Sequence, residues 1–314
     1  MRRLINILGP IIGLLFVIGL FSLSSEVRPY FLSGGNFKII LTQSVIVSIA
    51  ALGMTMIIIS GGIDLSVGAA IALTSVIGAI LLNHNFSPLT TILLTMLAGG
   101  VVGLINGAII SGFKMMPFIV TLGTMGIARG AALWISGSQT VNMPETWVNK
   151  IMEQQNPDHF FPLPLGVWLT LLLAGIIAVL MRKTAFGRYI FAMGGNELAT
   201  RLSGVRVGLH KIFIYALAGV LFGLAGLMQL SRLTQGDPSG ANGLELDIIA
   251  AVVIGGASLN GGVGSIPGAL IGALIMAVLR NGTSQMGWPT YVQQIIIGGV
   301  IIIAVGLDKL RQKN

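Results

Sequence analysis

A chain of 314 residues with 54% hydrophobic and only 9% charged residues cannot be a water-soluble globule, because soluble domains devote about a quarter of their residues to Asp, Glu, Lys and Arg. The net charge of +8 does not indicate nucleic-acid binding, since the basic residues lie in short segments between apolar runs and not on one face. The absence of cysteine excludes disulfides, thiolate chemistry and Cys-based metal sites.

Long apolar runs predict an all-α polytopic membrane protein that forms one transmembrane domain over residues 1–314. A helix that crosses a bilayer needs about 20 mostly apolar residues. The sequence contains about ten such segments, and the first, after Met1, is interpreted as an uncleaved helix. The predicted spans are 8–25, 39–59, 66–83, 90–113, 117–136, 163–181, 211–230, 247–259, 266–280 and 291–307.

The distribution of basic residues predicts the orientation of the chain. Short loops rich in Lys and Arg stay on the cytoplasmic side of a membrane. If both termini are cytoplasmic, most basic residues lie inside, including those of the loop at about 182–211. The loop at about 138–162 then lies outside.

Glycines spaced four residues apart predict close packing between helices. In lipid the hydrophobic effect does not drive helices together. Association depends instead on close packing, which small residues permit because they let two backbones approach each other. The spacing occurs in three predicted spans, at Gly99, Gly103 and Gly107, at Gly219 and Gly223, and at Gly268 and Gly272.

Asp64 is an acid close to the membrane, just after the bend that Gly61 and Gly62 permit. One interpretation is that its side chain, or that of Ser66, caps the helix that follows. The alternative is a ligand for a substrate or an ion, since ionisable groups within membranes are expensive and usually functional.

The basic loop at 182–211 contains a predicted short helix. Asn196 is a suitable N-cap and Gly204 a suitable C-terminal stop, with Glu197 in the first turn. Leu198 and Leu202 lie four residues apart on one face, with Arg201 beside them. Such a helix could lie on anionic lipid, but two turns are marginal alone and favour docking onto a partner.

The glycine-rich segment 255–268 predicts irregular backbone between two spans. At membrane depth such backbone is stable only where protein surrounds it or where it lines a water-filled space. The chain contains no Walker A sequence and no H-E-x-x-H or G-x-S-x-G motif. We therefore expect no catalytic residue, no metal and no cofactor bound by this chain. Arg129, inside a predicted span, is expected to reach the membrane surface, to pair within the bundle or to face a transport path.

Several motifs in a fixed order resemble the permease subunit of ribose- and xylose-type sugar ABC importers, a family of binding-protein-dependent transport systems. They are GGIDLSVG at 61–68, GRY at 187–189 before GGNE at 194–197, and GLELD at 243–247 before GG at 255–256. The resemblance implies the ten-helix bundle of a type II ABC importer in a bacterial inner membrane, with no enzymatic activity of its own.

The resemblance also implies partners. A second permease copy, identical or paralogous, would pair with this one, and ABC ATPase subunits, separate or fused, would bind ATP and Mg²⁺. A periplasmic or lipid-anchored binding protein would deliver the sugar. The short helix would be the coupling helix that contacts the ATPase, through residues Asn196, Glu197, Leu198, Arg201 and Leu202.

The few charges in the spans predict a neutral monosaccharide as substrate, because no counter-ion is apparent for a charged one. Which sugar is carried does not follow from this sequence. Candidate path residues are Gln43, Ser44, Ser48, Asp64 and Asn106.

Basic residues near the outer loops are candidates for docking the binding protein, although solvation alone also explains them: Arg28, Lys38 and Arg232. The alternative function is a stand-alone secondary transporter or facilitator, with broken helices and a buried ionisable residue for ion coupling.

Overall fold

The computed structural model describes residues 2–153 and 163–313 of the chain. These ranges form a helical bundle with one small two-stranded sheet and a 3₁₀ turn at Asn149–Ile151. The elements are α1 (Arg2–Ser22), α2 (Arg28–Phe31), α3 (Gly34–Ile59), α4 (Val67–Asn83), α5 (Pro88–Phe113), α6 (Pro117–Ile135), β1 (Val141–Asn142), α7 (Leu165–Lys183), α8 (Ala185–Gly195), α9 (Glu197–Leu202), α10 (Val207–Leu233), β2 (Gln235–Gly236), α11 (Leu244–Ile254), α12 (Ile266–Gln285) and α13 (Thr290–Lys313).

Six of these helices are long and apolar enough to cross a membrane: α3, α5, α6, α7, α10 and α12. Shorter apolar helical stretches occupy Leu8–Ser22, Val67–Asn83 and Thr290–Ile303. The predicted all-α, multi-pass membrane architecture is confirmed, and each predicted span coincides with a helix. The number of about ten spans stays a prediction, because α11 has only 11 residues.

Helix α3 is the centre of the bundle. In its most apolar window 94% of the residues are buried, whereas in α5, α6 and α7 about a third are. A helix that is apolar on every face is stable only where protein or lipid surrounds it completely. Here protein does so, since α3 contacts α7, α10, α11 and α12.

The glycines of α5 and α10 bring these two helices into backbone contact, as predicted. A Cβ on Gly99 would lie 2.6 Å from the amide nitrogen of Gly223, and one on Gly219 would lie 3.0 Å from the Cα of Gly103. Glycines in α12 similarly face the backbone of α11. Small residues therefore set the distance between helices in both pairs.

The bundle has two distinct ends. One, which we call the α9 end, carries α8 and α9, the end of α3 and the loop between α11 and α12. The opposite end, the sheet end, carries β1 and β2, which pair antiparallel with Val141 opposite Gly236. The predicted outer loop at about 138–162 begins at this sheet, and its residues 154–162 lie outside the described residues.

The contact between α5 and α10 predicts that Gly219→Ala destabilises the bundle. Alanine favours a helix by about 0.5–1 kcal/mol over glycine, but overpacking against rigid backbone costs about 1–3 kcal/mol. The net effect is a lower melting temperature in detergent, measured by intrinsic fluorescence.

Gly112→Ala is the matched control, because Gly112 lies in α5 with nothing within 4 Å of the added Cβ. We expect its melting temperature to be unchanged or raised. Equal melting temperatures for the two variants would contradict the packing argument.

Candidate functional site

Helix α9 forms as the sequence predicts. Asn196 is extended, with φ −159° and ψ 101°, and its Oδ1 accepts a hydrogen bond from the amide of Ala199 at 2.9 Å. The helix stops before Gly204, whose φ of +86° lies in the left-handed region. The predicted cap, helix and stop are confirmed, while the role of this helix remains a prediction.

Glu197 connects α9 to α10 through an ion pair. Its two carboxylate oxygens accept from Arg201, one turn along α9, at 3.1 Å and from Lys211 of α10 at 2.7 Å. Thr200 is buried beneath the helix, and its hydroxyl donates to the carbonyl of Asn196 at 2.8 Å. These contacts fix the orientation of a two-turn helix that would be marginal by itself.

The outer face of α9 is apolar and exposed. Leu198 is 66% exposed and Leu202 is 80% exposed, although both flank charged residues. Two large apolar side chains held on a rigid, charged helix form a small contact surface for another protein or for lipid.

Glycines from three separate segments of the chain meet at the α9 end, and we call this contact the glycine junction. It consists of Gly61 after α3, Gly194 at the end of α8, and Gly261 and Gly262 between α11 and α12. A Cβ on Gly261 would lie 2.9 Å from the Cα of Gly194 and 3.1 Å from that of Gly61.

Backbone bonding holds the glycine junction together. The amide of Gly262 donates to the carbonyl of Ile59 at 2.8 Å. Gly61, Gly261 and Gly262 have φ values of +85°, +88° and +74°, which side chains with a Cβ rarely adopt. The end of α8, just before α9, therefore packs directly against the backbone of α3 and of the α11–α12 loop.

Asp64 is buried beside the glycine junction, with 1% of its surface exposed. Its Oδ1 accepts from the amide and the hydroxyl of Ser66, at 2.8 and 2.5 Å. Asn106 of α5 donates to the Ser66 hydroxyl at 3.0 Å. The polar cluster therefore joins two of the candidate path residues.

Of the two residues considered as caps for α4, the Ser66 side chain makes no capping bond, and the only backbone amide among the described residues that donates to Asp64 is that of Ser66 itself. Ser66 occupies the N-cap position, but its side chain makes no capping bond to the first turn and donates to Asp64. The side chain of Asp64 accepts from the amide two residues ahead, so it stabilises the turn that precedes α4 and not the first turn of the helix.

A polar cavity of about 440 Å³ lies among α3, α10, α11, α12 and α13, toward the sheet end. It contains an ion pair in which Nε of Arg280 donates to Oδ2 of Asp247 at 2.6 Å. Asp247 is 1% exposed, and Gln43, Gln229 and Arg232 also line the cavity.

The candidate path residues do not form one surface. Gln43 lines the polar cavity, while Ser44 and Ser48 are buried in α3, where the Ser44 hydroxyl donates to the carbonyl of Leu41 at 2.7 Å. Asp64 and Asn106 lie in the separate cluster near the α9 end. Consecutive positions on a helix point in different directions, which is why Gln43 and Ser44 separate.

The basic residues considered for docking also differ in their surroundings. Arg28 and Lys38 are exposed near the sheet end, where solvent or a partner can reach them. Arg232 lines the polar cavity together with Arg280. The structure does not bring these three residues together in one patch.

The Asp247–Arg280 pair was not predicted from the sequence, although Asp247 begins one predicted span and Arg280 ends the next. In the structure Asp247 lies within α11 and pairs with Arg280 of α12. The sequence did contain a signal for this pair, because two consecutive apolar segments carry opposite charges. Arg129, by contrast, pairs within the bundle, where it donates to the carbonyl of Pro238 at 2.7 Å.

No group of three or more His, Cys, Asp or Glu that could hold a metal occurs within residues 2–153 and 163–313. His84 and His210 lie at opposite ends of the bundle, and His159 lies outside the described residues.

Residues 36–305 match the family model described as branched-chain amino acid transport system / permease component. The chain belongs to this permease family. Over 303 residues it is 42% identical to the ribose import permease protein of Bacillus subtilis (strain 168), covering 96% of this chain and 92% of the relative.

Two further members of the permease family are similar over most of their length. The ribose import permease protein of Escherichia coli (strain K12) is 38% identical over 308 residues, 96% of this chain and 94% of that protein. The L-arabinose ABC transporter permease protein of Azospirillum brasilense is 35% identical over 312 residues, 99% and 90% of the two chains. No solved structure matches the chain.

The cap of α9 predicts the effect of Asn196→Ala. Loss of the bond to Ala199 costs about 1 kcal/mol of helix stability, which corresponds to a roughly fivefold rise in local opening. Hydrogen exchange of the amides at 198–204 should accelerate by that factor. Asn196→Asp keeps the acceptor, so exchange as fast as in the alanine variant would contradict the capping role.

Proposed function

We propose that this permease-family chain is the membrane subunit of an ATP-driven ABC importer that moves a neutral monosaccharide into the cytoplasm. The observation that carries the proposal is the structure of α9. This helix is capped, exposes two leucines and directly follows the α8 segment that forms part of the glycine junction. The names of the ribose and L-arabinose permeases among its relatives support a sugar as substrate.

The ten helices α1, α3 to α7 and α10 to α13 would span a bacterial inner membrane. An even number of spans places both termini on one side, and the basic loop at 182–211 favours the cytoplasm for that side. The α9 end is then cytoplasmic and the sheet end faces outward.

The partners follow from this orientation. An ABC ATPase that binds ATP and Mg²⁺ would receive α9, with Leu198 and Leu202 as apolar contacts and Asn196, Glu197 and Arg201 as polar ones. A second permease copy would complete the transport path, and a sugar-binding protein would dock at the sheet end near Arg28 and Lys38. The chain itself would bind no cofactor and catalyse no reaction.

The glycine junction supplies a mechanical connection for this function. When the ATPase closes on ATP, the displacement of α9 would move Gly194, which contacts Gly61 and Gly261 without intervening side chains. Close-packed backbone has no soft rotamer to absorb the motion. The movement would therefore reach α3, α11 and α12, three of the helices that line the polar cavity.

The exposed leucines give a test of the docking role. In Leu198→Ser combined with Leu202→Ser, we expect the ATPase to fail to co-purify and ATP-driven uptake to fall at least tenfold. The melting temperature of the permease should not change, because surface substitutions away from packed features alter stability by about 0.5 kcal/mol or less.

Leu23→Ser is the control, because Leu23 is at least as exposed as the two leucines of α9 but lies between α1 and α2. Normal co-purification of the double variant would contradict the docking role. Uptake by the chain alone, driven by an ion gradient, would instead favour the secondary transporter, for which Asp64 is the candidate ion-coupling carboxylate.

Orientation can be tested cleanly, because the chain contains no cysteine. Ser203 follows α9 and Ser239 lies in the loop at the sheet end, and both are exposed. In intact cells permeable only at the outer membrane, a membrane-impermeant maleimide should label Ser239→Cys but not Ser203→Cys.

After the inner membrane is broken, both cysteines should react, which controls for their accessibility. Labelling of Ser203→Cys in intact cells would overturn the proposed orientation and with it the contact between α9 and an ATPase.

A further inference from the structure

Three buried polar atoms in residues that line the polar cavity have no hydrogen-bond partner in the described parts of the chain. They are Nε2 of Gln229, Oδ1 of Asp247 and Oε1 of Gln285. Gln229 is 2% and Asp247 is 1% exposed. A buried polar group without a partner is costly, so three of them around one cavity indicate a ligand that supplies the missing bonds.

We propose that this cavity is a binding site for the sugar in transit, an inference that rests on the proposed function. Asp247 Oδ1 and Gln285 Oε1 accept hydrogen bonds from hydroxyl groups of the sugar, and Gln229 Nε2 donates one. Arg280 holds the other oxygen of Asp247, so the carboxylate presents a single free acceptor to the cavity.

The neighbouring contacts orient these groups. The amide nitrogen of Gln285 donates to Oδ1 of Asn36 at 2.7 Å, which leaves its oxygen unbound. Asn36 in turn donates to Oδ1 of Asn281 at 3.0 Å. The acceptor of Gln285 is therefore held by a network that joins α3 to α12.

The mixture of donors and acceptors selects the chemical class of the ligand. A hydroxyl group both donates and accepts, so a polyol can satisfy the carboxylate and both amides together. A carboxylate ligand would meet Asp247 and have no proton to donate, and a cation would meet Arg232 and Arg280. The volume of about 440 Å³ lies within the range of small-molecule sites, about 300–1,000 Å³.

Gln229→Met tests the site with little risk to the fold. The substitution removes an amide nitrogen that has no protein partner, so no internal hydrogen bond is lost through that atom. Gln235→Met is the matched control, because Gln235 lies in β2 and does not line the cavity. Asp247→Asn is a second variant that keeps the shape of the side chain while removing its charge.

The first measurement is saturation-transfer NMR with the purified full-length permease in nanodiscs, using D-ribose, L-arabinose and D-galactose as separate probes. We expect at least one sugar to receive saturation from the wild type and from Gln235→Met. That signal should fall at least fivefold in Gln229→Met and in Asp247→Asn, at unchanged melting temperature for Gln229→Met. No signal with any sugar, or equal signals in all four proteins, would overturn the proposed site.

The second measurement is ATP-driven uptake by the permease assembled with its ATPase and binding protein in vesicles. Uptake at the wild-type rate in both cavity variants would overturn the site and leave the importer function intact. If the wild type takes up no sugar with ATP, the importer function itself fails, whatever the NMR signal shows.

Discussion

The contact on which the rest of this structure depends is the backbone-to-backbone meeting of Gly61, Gly194 and Gly261. It joins three segments that are far apart in the chain, the end of α3, the end of α8 and the loop between α11 and α12. A methyl group at Gly261 would lie 2.9 Å from the Cα of Gly194, closer than packed atoms tolerate. A single extra carbon at this position would therefore force the backbone of Gly194, just before α9, to shift away from the loop between α11 and α12.

Close contacts at glycine residues also hold the bundle together elsewhere. Lipid does not drive helices together as water does, so association depends on close packing and on internal hydrogen bonds. Glycine faces bring α5 against α10 and α11 against α12. Polar clusters add specific bonds at each end, with Asp64, Ser66 and Asn106 near α9 and Asp247 with Arg280 in the cavity.

The sequence was sufficient for the features that local physics determines. Apolar runs predicted each helix that corresponds to a span, and Asn196 with Gly204 predicted the limits of α9, because capping depends on neighbouring residues. The pairing of Asp247 with Arg280 could not be predicted in this way, since it depends on how α11 packs against α12. For the same reason Gln43 and Asp64, grouped as path residues, lie in two separate places.

The short length of α11 has a consequence for how much of a membrane it can cross. Its 11 residues rise only about 16 Å, roughly half of a hydrocarbon layer about 30 Å thick. Any crossing of that layer by this part of the chain has to be completed by the irregular residues 255–265. Their backbone bonds to the end of α3 through the amide of Gly262 and the carbonyl of Ile59, so the missing helical turns are replaced by a contact with a neighbouring helix.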